Sequence, residues 1–361
     1  MMRSRWIGVL CALAWTVVAP AARAQQPGIV VPLQPGLTIV SAVVGDVRRG
    51  DYETVVSVTG VSEREVGLKT SAEVNEGKSK RTLTAIRTVS RADLLHAPVQ
   101  ILGFNEAEAV AFPGTTSLGP SLDIVQALRA PGRATYGVKN YASKLTSSGA
   151  ISRVEPNTVA FSVLLNGRRT TVPAIHAAGS LRYAEGERPW DLYILDDAVH
   201  PLLLRIAYGP VGGGLPVRPE WTRQVVRIDS PEPRPTTEAT LSSACRVEAT
   251  GVYFEFNSAS LNPQSEPAIR SIAELLHRRA DWKLEIEGHT DDIGSDRENQ
   301  DLSERRAAAV REAVVRQLPA AATRLTTTGF GEKRPRETNA TPEGRARNRR
   351  VELVRPCGAL K

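Results

Sequence analysis

Short alternating patterns of apolar and polar residues dominate the first two thirds of the chain. Over residues 26–228, runs rich in Val, Ile, Leu and Thr are separated by turn residues, as is typical of β-strands. The clearest runs are residues 53–59, 81–88, 158–165 and 224–228. Asn166-Gly167 predicts a tight hairpin into residues 168–172, since both residues tolerate positive φ, and residues 120–128 predict one short helix. The pattern predicts a mostly antiparallel β-domain, either a sandwich or a partly open barrel.

After residue 245 the pattern changes to alternating strands and helices. Predicted strands cover residues 252–256, 282–287, 324–328 and 350–355. One predicted helix starts at Asn262-Pro263, because Asn caps a helix and Pro suits its first position. A second predicted helix covers residues 302–318. This βαβαββ order predicts an α/β domain in which a mixed sheet carries both helices on one face.

Residues 229–244 separate the two patterns. The segment has three alternating Pro residues and then mostly Thr and Ser, with almost no large apolar side chain. Such a composition favours an extended, semi-stiff linker. A long surface loop within one domain is the alternative, but the patterns on the two sides differ in kind. We therefore divide the chain into a β-domain (26–228), a linker (229–244) and a C-terminal domain (245–361).

The first 24 residues have the pattern of a secretory signal peptide. Residues 1–5 are basic, residues 6–19 are uncharged and mostly apolar, and Ala22-Arg23-Ala24 supplies the small residues of a cleavage site. A membrane anchor is the alternative, but this run is shorter than the ~20 residues that span a bilayer. Leu10, before Cys11, is not the small residue that a lipidation signal requires. We expect export to the periplasm, with a mature chain that begins near Gln25.

Composition and charge narrow the classes of function. Hydrophobic residues make up 41% and charged residues 24% of the chain, as in folded soluble proteins. Aromatic residues make up only 5%, which disfavours an outer-membrane barrel at residues 26–228 because such barrels carry aromatic girdles. Loss of the three signal-peptide arginines lowers the formal net charge from +7 to +4. An exported, mildly basic protein suits an anionic envelope surface better than nucleic acid. The five His are scattered, so no metal site is expected.

One charged residue lies on the apolar side of the second predicted helix. Arg306 follows the apolar Leu302 by one helical turn and faces inward, whereas Arg305 points elsewhere. A buried guanidinium needs an anion nearby. Asp291 and Asp292, in the loop before the helix, are the natural candidates. The alternative is an arginine whose stem packs while its head reaches water, and the spacing alone favours neither.

Five short motifs occur in order along the C-terminal domain. They are Phe254-Glu255-Phe256-Asn257, Gly288-His289-Thr290-Asp291, Leu302-Ser303 with Arg306-Ala307, Gly329-Phe330-Gly331-Glu332 and Asn348-Arg349-Arg350-Val351. Over about residues 252–354 the chain resembles the OmpA-type C-terminal domain, a family that binds peptidoglycan non-covalently through the diaminopimelate of its stem peptide. The resemblance implies two main ligand contacts, Asp291 and Arg306. It also implies a pocket lined by Thr290, Asn257, Asn299 and Arg349. Glu255 stands where the family more often has Asp and keeps the charge.

The chemistry of the implied ligand agrees with these residue types. The diaminopimelate side chain ends in an ammonium and a carboxylate, so its recognition needs one fixed anion and one fixed cation. Arg306 suits the carboxylate because a guanidinium bonds both oxygens, and Asp291 suits the ammonium. Neither a nucleophile nor a general base, cofactor or metal is required. We therefore expect a binding site rather than an enzyme, with His289 in a hydrogen-bonding structural role.

Two functions remain open for the whole chain. In the first, the C-terminal domain binds peptidoglycan and tethers the β-domain, which contacts a periplasmic or outer-membrane protein. In the second, residues 26–228 are an exported hydrolase and the C-terminal domain is only its wall tether. The first is preferred, because no Ser, Cys or carboxylate pair in residues 26–228 has a catalytic context.

The cysteines predict one disulfide. Cys11 is removed with the signal peptide, so Cys245 and Cys357 are left on either side of the C-terminal domain in an oxidising compartment. If the first and last strands of that domain are antiparallel neighbours, an intramolecular bridge joins the domain's ends. Two free thiols or an intermolecular bridge are the alternatives.

Overall fold

The computed structural model describes residues 31–46, 49–76, 79–102, 107–140, 146–217, 219–231, 237–255 and 257–357. The predicted signal peptide, residues 1–24, and its cleavage site lie outside the described residues. Within these ranges, no helix combines the length and the hydrophobicity that crossing a membrane would require.

Most of the β-domain consists of strands. They are β1 (Thr38–Val44), β2 (Tyr52–Val61), β3 (Glu65–Glu76), β4 (Ser79–Ser90), β5 (Val99–Leu102), β6 (Ala107–Ala111), β7 (Thr115–Thr116), β8 (Arg133–Asn140), β9 (Thr146–Arg153), β10 (Val159–Leu165), β11 (Arg168–Tyr183), β12 (Gly186–Leu195), β13 (Leu203–Tyr208) and β14 (Trp221–Asp229). Two short helices, α1 (Arg91–His96) and α2 (Leu122–Arg129), interrupt them.

These strands form one continuous, curled sheet. Its order is β6-β4-β3-β2-β1-β14-β13-β12-β11-β9-β8-β5-β7, and β10 pairs with both β11 and β14. Most neighbours are antiparallel, and the parallel pairs are β4 with β6, β5 with β7, β5 with β8, and β10 with β14. The predicted β-rich fold is therefore present as a single sheet, and the two-sheet sandwich is not the arrangement found.

The hairpin predicted at Asn166-Gly167 is confirmed. Asn166 has a φ of 52° and Gly167 a φ of 75°, as a type I′ turn requires at both central residues. The turn sets the register of β10 against β11, with Leu165 opposite Arg168. The predicted helix is α2, whose apolar residues are buried in the β-domain core.

The outer face of the sheet also contributes an apolar cluster. Val40 on β1, Val55 on β2 and Val226 on β14 pack with Tyr253 and Ala346 of the C-terminal domain. Successive side chains of a strand point to opposite faces, so these positions lie opposite the residues that fill the interior of the β-domain. The two domains therefore share a buried surface.

The C-terminal domain contains a four-stranded sheet and several helices. In chain order the elements are α3 (Thr237–Ala244), β15 (Arg246–Glu248), α4 (Glu266–Arg278), β16 (Leu284–Gly288), α5 (Asp296–Gln317), β17 (Leu325–Gly329), α6 (Pro342–Asn348) and β18 (Val351–Val354). The sheet order is β15-β18-β16-β17, and only β16 and β17 run parallel within it. Apolar residues of α4 and α5 pack with Ile286 and Leu353 of the sheet. The predicted mixed α/β fold is confirmed.

One local prediction in this domain was wrong, and one helix was missed. The first strand is Arg246–Glu248, whereas residues 252–255 make one isolated bridge between Phe254 and Leu261, and Phe256 lies outside the described residues. The short helix α6 was not predicted at all. Asn262 caps a helix as predicted, namely the 3-10 helix Pro263–Ser265 that leads into α4, and its side chain accepts a hydrogen bond from the Gln264 N–H.

The second half of the predicted linker is folded. Residues 232–236 lie outside the described residues, but Thr237–Ala244 form α3, and Leu241 is fully buried in the core of the C-terminal domain. We therefore take residues 237–357 as the C-terminal domain.

The predicted disulfide is present: Cys245 and Cys357 are bonded, with their Cα atoms 5.9 Å apart. The antiparallel pairing of β15 with β18 brings the two cysteines together.

Candidate ligand-binding site

The loop between β16 and α5 carries several of the predicted site residues. The loop ends in a capping box, in which Ser295 and Glu298 satisfy each other's backbone N–H groups. This cap fixes the start of α5, where Asn299 is buried and donates to Glu332 at 2.7 Å. Thr290 is buried as well; its N–H donates to the Gly331 carbonyl, and its hydroxyl has no partner among the described residues.

Asp291 is paired with Arg349. The guanidinium Nη1 lies 2.5 Å from Asp291 Oδ2, and both side chains are largely buried. Arg349 directly follows α6 and reaches back across the domain to the loop. Its other Nη contacts the carboxylate of Glu53 on β2. Burial alone would lower the pKa of Arg349, but Glu53 and Asp291 outweigh burial and raise that pKa.

Arg306 faces inward, as the helical spacing predicted. Its Nε donates to the carbonyl of Ser258 at 2.9 Å, and its guanidinium lies 5.1 Å from the centre of the Phe254 ring. In the described chain no carboxylate forms an ion pair with Arg306, so the expected pairing with Asp291 or Asp292 is not found. Burial, and then the charge of Arg349, lower the pKa of Arg306 to about 10. The charges of Glu53 and Asp291 offset part of this lowering, but neither carboxylate forms an ion pair with Arg306 among the described residues.

A small cavity brings part of the predicted site together. Its walls include Asn257, Arg306 and Arg349 of the C-terminal domain. Asp291 joins this group through its ion pair with Arg349. Thr290 and Asn299 lie in the adjoining loop and helix start, but they do not line the cavity. The structure thus places four of the six predicted residues in direct contact with the cavity or with one of its walls.

The sequence analysis missed the residues that the β-domain contributes. Glu53 and Val55 of β2 line the same cavity, together with Val40, Val226 and Arg227 of the neighbouring strands. Glu53 is 296 residues from Arg349 in sequence, so no local motif could connect them. One signal was available in β2, whose outer face carries both a charged residue, Glu53, and an apolar residue, Val55.

A second buried polar group lies beside the loop. The group consists of Glu287, His289 and Glu352. Each offers one possible ligand atom, and the three atoms lie within 4.8 Å of one another, a spacing that a metal ion could use. However, Arg246 contacts both carboxylates, so a cation would have to displace its guanidinium. Burial, and then Arg350, lower the pKa of His289 to about 4, which keeps the ring neutral at pH 7.

The ring of His289 packs rather than hydrogen-bonds. It stacks on Phe330 with 5.5 Å between ring centres. Neither of its ring nitrogens has a hydrogen-bond partner in the part of the chain that the structure describes. The structural role expected for His289 is thus one of packing, and its predicted hydrogen bonding is not found.

Comparison with known proteins finds a family match within the C-terminal domain. The family model of the OmpA family matches residues 253–349. That range includes the loop after β16, the middle of α5 and the residue after α6, which supply Asp291, Arg306 and Arg349. We refer to the C-terminal domain as the OmpA-like domain from here on.

The similar proteins match the OmpA-like domain. Outer membrane porin F of Pseudomonas aeruginosa is 43% identical over 101 residues, which are 28% of this chain and 29% of that protein. The peptidoglycan-binding protein ArfA of Mycobacterium bovis is 38% identical over 117 residues, 32% of this chain and 36% of that protein. The chain thus spans about a third of the length of these curated relatives. A crystal structure of the peptidoglycan-associated lipoprotein from Burkholderia pseudomallei covers 34% of this chain and 95% of its own, with 26% identity and a TM-score of 0.29.

Proposed function

We propose that this protein binds peptidoglycan non-covalently through its OmpA-like domain and thereby tethers its β-domain to the cell wall. The observation that carries the proposal is Arg306, a buried guanidinium at a cavity with no carboxylate paired to it in the described chain. A ligand carboxylate would supply the missing anion, and such charge-assisted contacts are among the strongest hydrogen bonds. The similarity to a protein named for peptidoglycan binding supports the same ligand class.

The ligand group proposed is the diaminopimelate side chain of the stem peptide. Its carboxylate would bind Arg306, and its ammonium would bind Asp291, which already holds the cationic group of Arg349. Asn257 and Arg349 would line the pocket. Thr290 and Asn299 would act from the adjoining loop and helix start, where the buried Thr290 hydroxyl has no partner among the described residues. None of these roles requires a proton transfer or a covalent step, so we propose binding without catalysis.

The location proposed for this activity is the periplasm. The signal-peptide pattern of residues 1–24 supports export, and the mildly basic mature chain suits an anionic envelope. In this location the OmpA-like domain would hold the wall, leaving the remaining surface of the β-domain for an envelope partner.

Sedimentation of the full-length protein with purified sacculi tests the proposal. Arg306→Ala and Asp291→Ala each remove one charged partner, which costs ~2–5 kcal/mol of binding free energy and weakens binding roughly 30-fold or more. Arg305→Ala is the matched control, because Arg305 is exposed and pairs with Asp301 on the outer side of α5. Urea unfolding of each variant verifies that the fold is retained. Equal binding by the Arg305 and Arg306 variants would contradict the assignment of the site.

A further inference from the structure

We propose that the arrangement described here is a closed form, in which the β-domain covers the peptidoglycan site and Glu53 holds Arg349, one wall of the proposed pocket. The inference rests on the function proposed above and adds a regulation of the same site. In this proposal the domain interface regulates binding, because Glu53 and peptidoglycan compete for the same site.

The contact between Glu53 and Arg349 occupies one charged wall of the proposed pocket. Glu53 presents a carboxylate to one Nη of Arg349, while the other Nη holds Asp291. Both partners are largely buried, so water competes little for the pair. A ligand that enters the cavity between Arg306 and Arg349 must therefore displace Glu53.

The β-domain is held over the site by more than this ion pair. The side-chain amide of Asn262 donates to Ser71 on β3 at 2.8 Å, and the Tyr253 hydroxyl donates to Asp229 at 2.5 Å. Both contacts are buried and link the two domains. Together with the apolar cluster of β1, β2 and β14 they fix the orientation of the sheet over the cavity. The covered pocket is thus a property of the whole interface.

Access to the site is restricted in this arrangement, because Arg306 is only 4% exposed. The cavity between Glu53, Arg306 and Arg349 has a volume of about 50 Å³ and is partly open to solvent. A stem peptide attached to a glycan strand carries a diaminopimelate side chain and the backbone on either side of it. Since Arg306 is buried and Glu53 contacts Arg349, we expect such a ligand to reach the site only when β2 moves away from the OmpA-like domain.

This coupling has a quantitative consequence. If only a fraction of the molecules has the site uncovered, the apparent dissociation constant for peptidoglycan rises by the inverse of that fraction. A change that weakens the interface without touching the contacts of Arg306 should therefore tighten binding to the wall.

Glu53→Lys in the full-length protein provides the test. The change replaces a favourable contact with Arg349 by a repulsive one, and we expect sacculus binding about tenfold tighter or more. Glu63→Lys is the matched control, since Glu63 lies exposed in the turn between β2 and β3 and carries the same charge change. Glu53→Gln keeps the side-chain shape and should shift binding in the same direction by a smaller factor. Small-angle scattering without sacculi should show a larger radius of gyration for Glu53→Lys.

The outcomes separate the two proposals. Tighter binding by Glu53→Lys than by Glu63→Lys supports closure. Equal binding by the two variants overturns closure and leaves wall binding intact. If the wild type, Glu53→Lys and Arg306→Ala all fail to sediment with sacculi, wall binding is overturned and closure with it.

Discussion

The disulfide between Cys245 and Cys357 joins the start of β15 to the segment that follows β18. Cys357 lies three residues beyond the last residue of β18, and the Arg355 N–H donates to the Cys245 carbonyl at 2.8 Å. Replacing both cysteines by serine keeps these backbone contacts and removes only the covalent link. We expect this double variant to fold into the same structure with a less stable OmpA-like domain.

The magnitude follows from the length of the closed loop. The two cysteines are 112 residues apart, and the loop-closure relation gives about 5 kcal/mol of stabilisation for a loop of that size. Native disulfides in small domains more often contribute ~2–5 kcal/mol. For a domain of this size we therefore expect the midpoint of thermal unfolding to fall by roughly 10 °C or more.

Calorimetry of the full-length protein, with and without a reductant, measures this effect. Under oxidising conditions the unfolding transition of the OmpA-like domain should occur at a lower temperature in the double variant than in the wild type. Addition of a reductant should bring the wild type down to the value of the variant. Hydrogen exchange in peptides from β16 and β18 assigns the transition to this domain.

The double variant itself provides the control, because a reductant should not change its midpoint. Two outcomes would refute the reasoning. One is an equal midpoint for the wild type and the double variant under oxidising conditions. The other is detection of two reactive thiols in the folded, exported protein.

Two further predictions concern buried charges. Burial alone would raise the pKa of Glu352, but hydrogen bonds from Arg246 and Arg350 outweigh burial and lower the pKa from 4.5 to about 2. The carboxylate therefore contributes about 3 kcal/mol of stability that is present above pH 4.5 and is lost as the pH falls towards 2. Urea unfolding should show a lower free energy of unfolding at pH 3 than at pH 7, and this decrease should be smaller in Glu352→Gln. Arg223 lines a cavity in the β-domain, forms no hydrogen bond or ion pair with the described residues, and has a pKa lowered by burial. Arg223→Met should raise the free energy of unfolding by ~1 kcal/mol, and a large loss in urea unfolding would show that the charge has a stabilising partner.

Features encoded locally could be predicted from the sequence. The hairpin at Asn166-Gly167 depends on two adjacent residues, and the inward direction of Arg306 depends on helical spacing alone. In both cases the determining interaction lies within one turn or one helix. The disulfide is not local, since its cysteines are 112 residues apart; it followed from their number and from their positions on either side of one domain.

Features set by tertiary packing could not be predicted in this way. Residues 237–244 have the composition of a linker, yet burial of Leu241 against the domain core stabilises them as α3. Residues 252–255 have the pattern of a strand, but Tyr253 points to the β-domain and contacts Asp229. The partner of Arg306 was misjudged for the same reason. Arg349 follows a helix that the sequence pattern did not reveal, and it takes the carboxylate of Asp291.

Strand β2 shows what signal the interface left in the sequence. Tyr52 and Thr54 line the interior of the β-domain, whereas Glu53 and Val55 face the OmpA-like domain. A strand with water on one face is polar at every second residue, yet Val55 is apolar and buried on the outer side. Such a strand must be covered on both faces, and the single charge among the outer residues must meet an opposite charge. Arg349 supplies that charge. The outer face of β2 is therefore covered by the proposed wall-binding site itself.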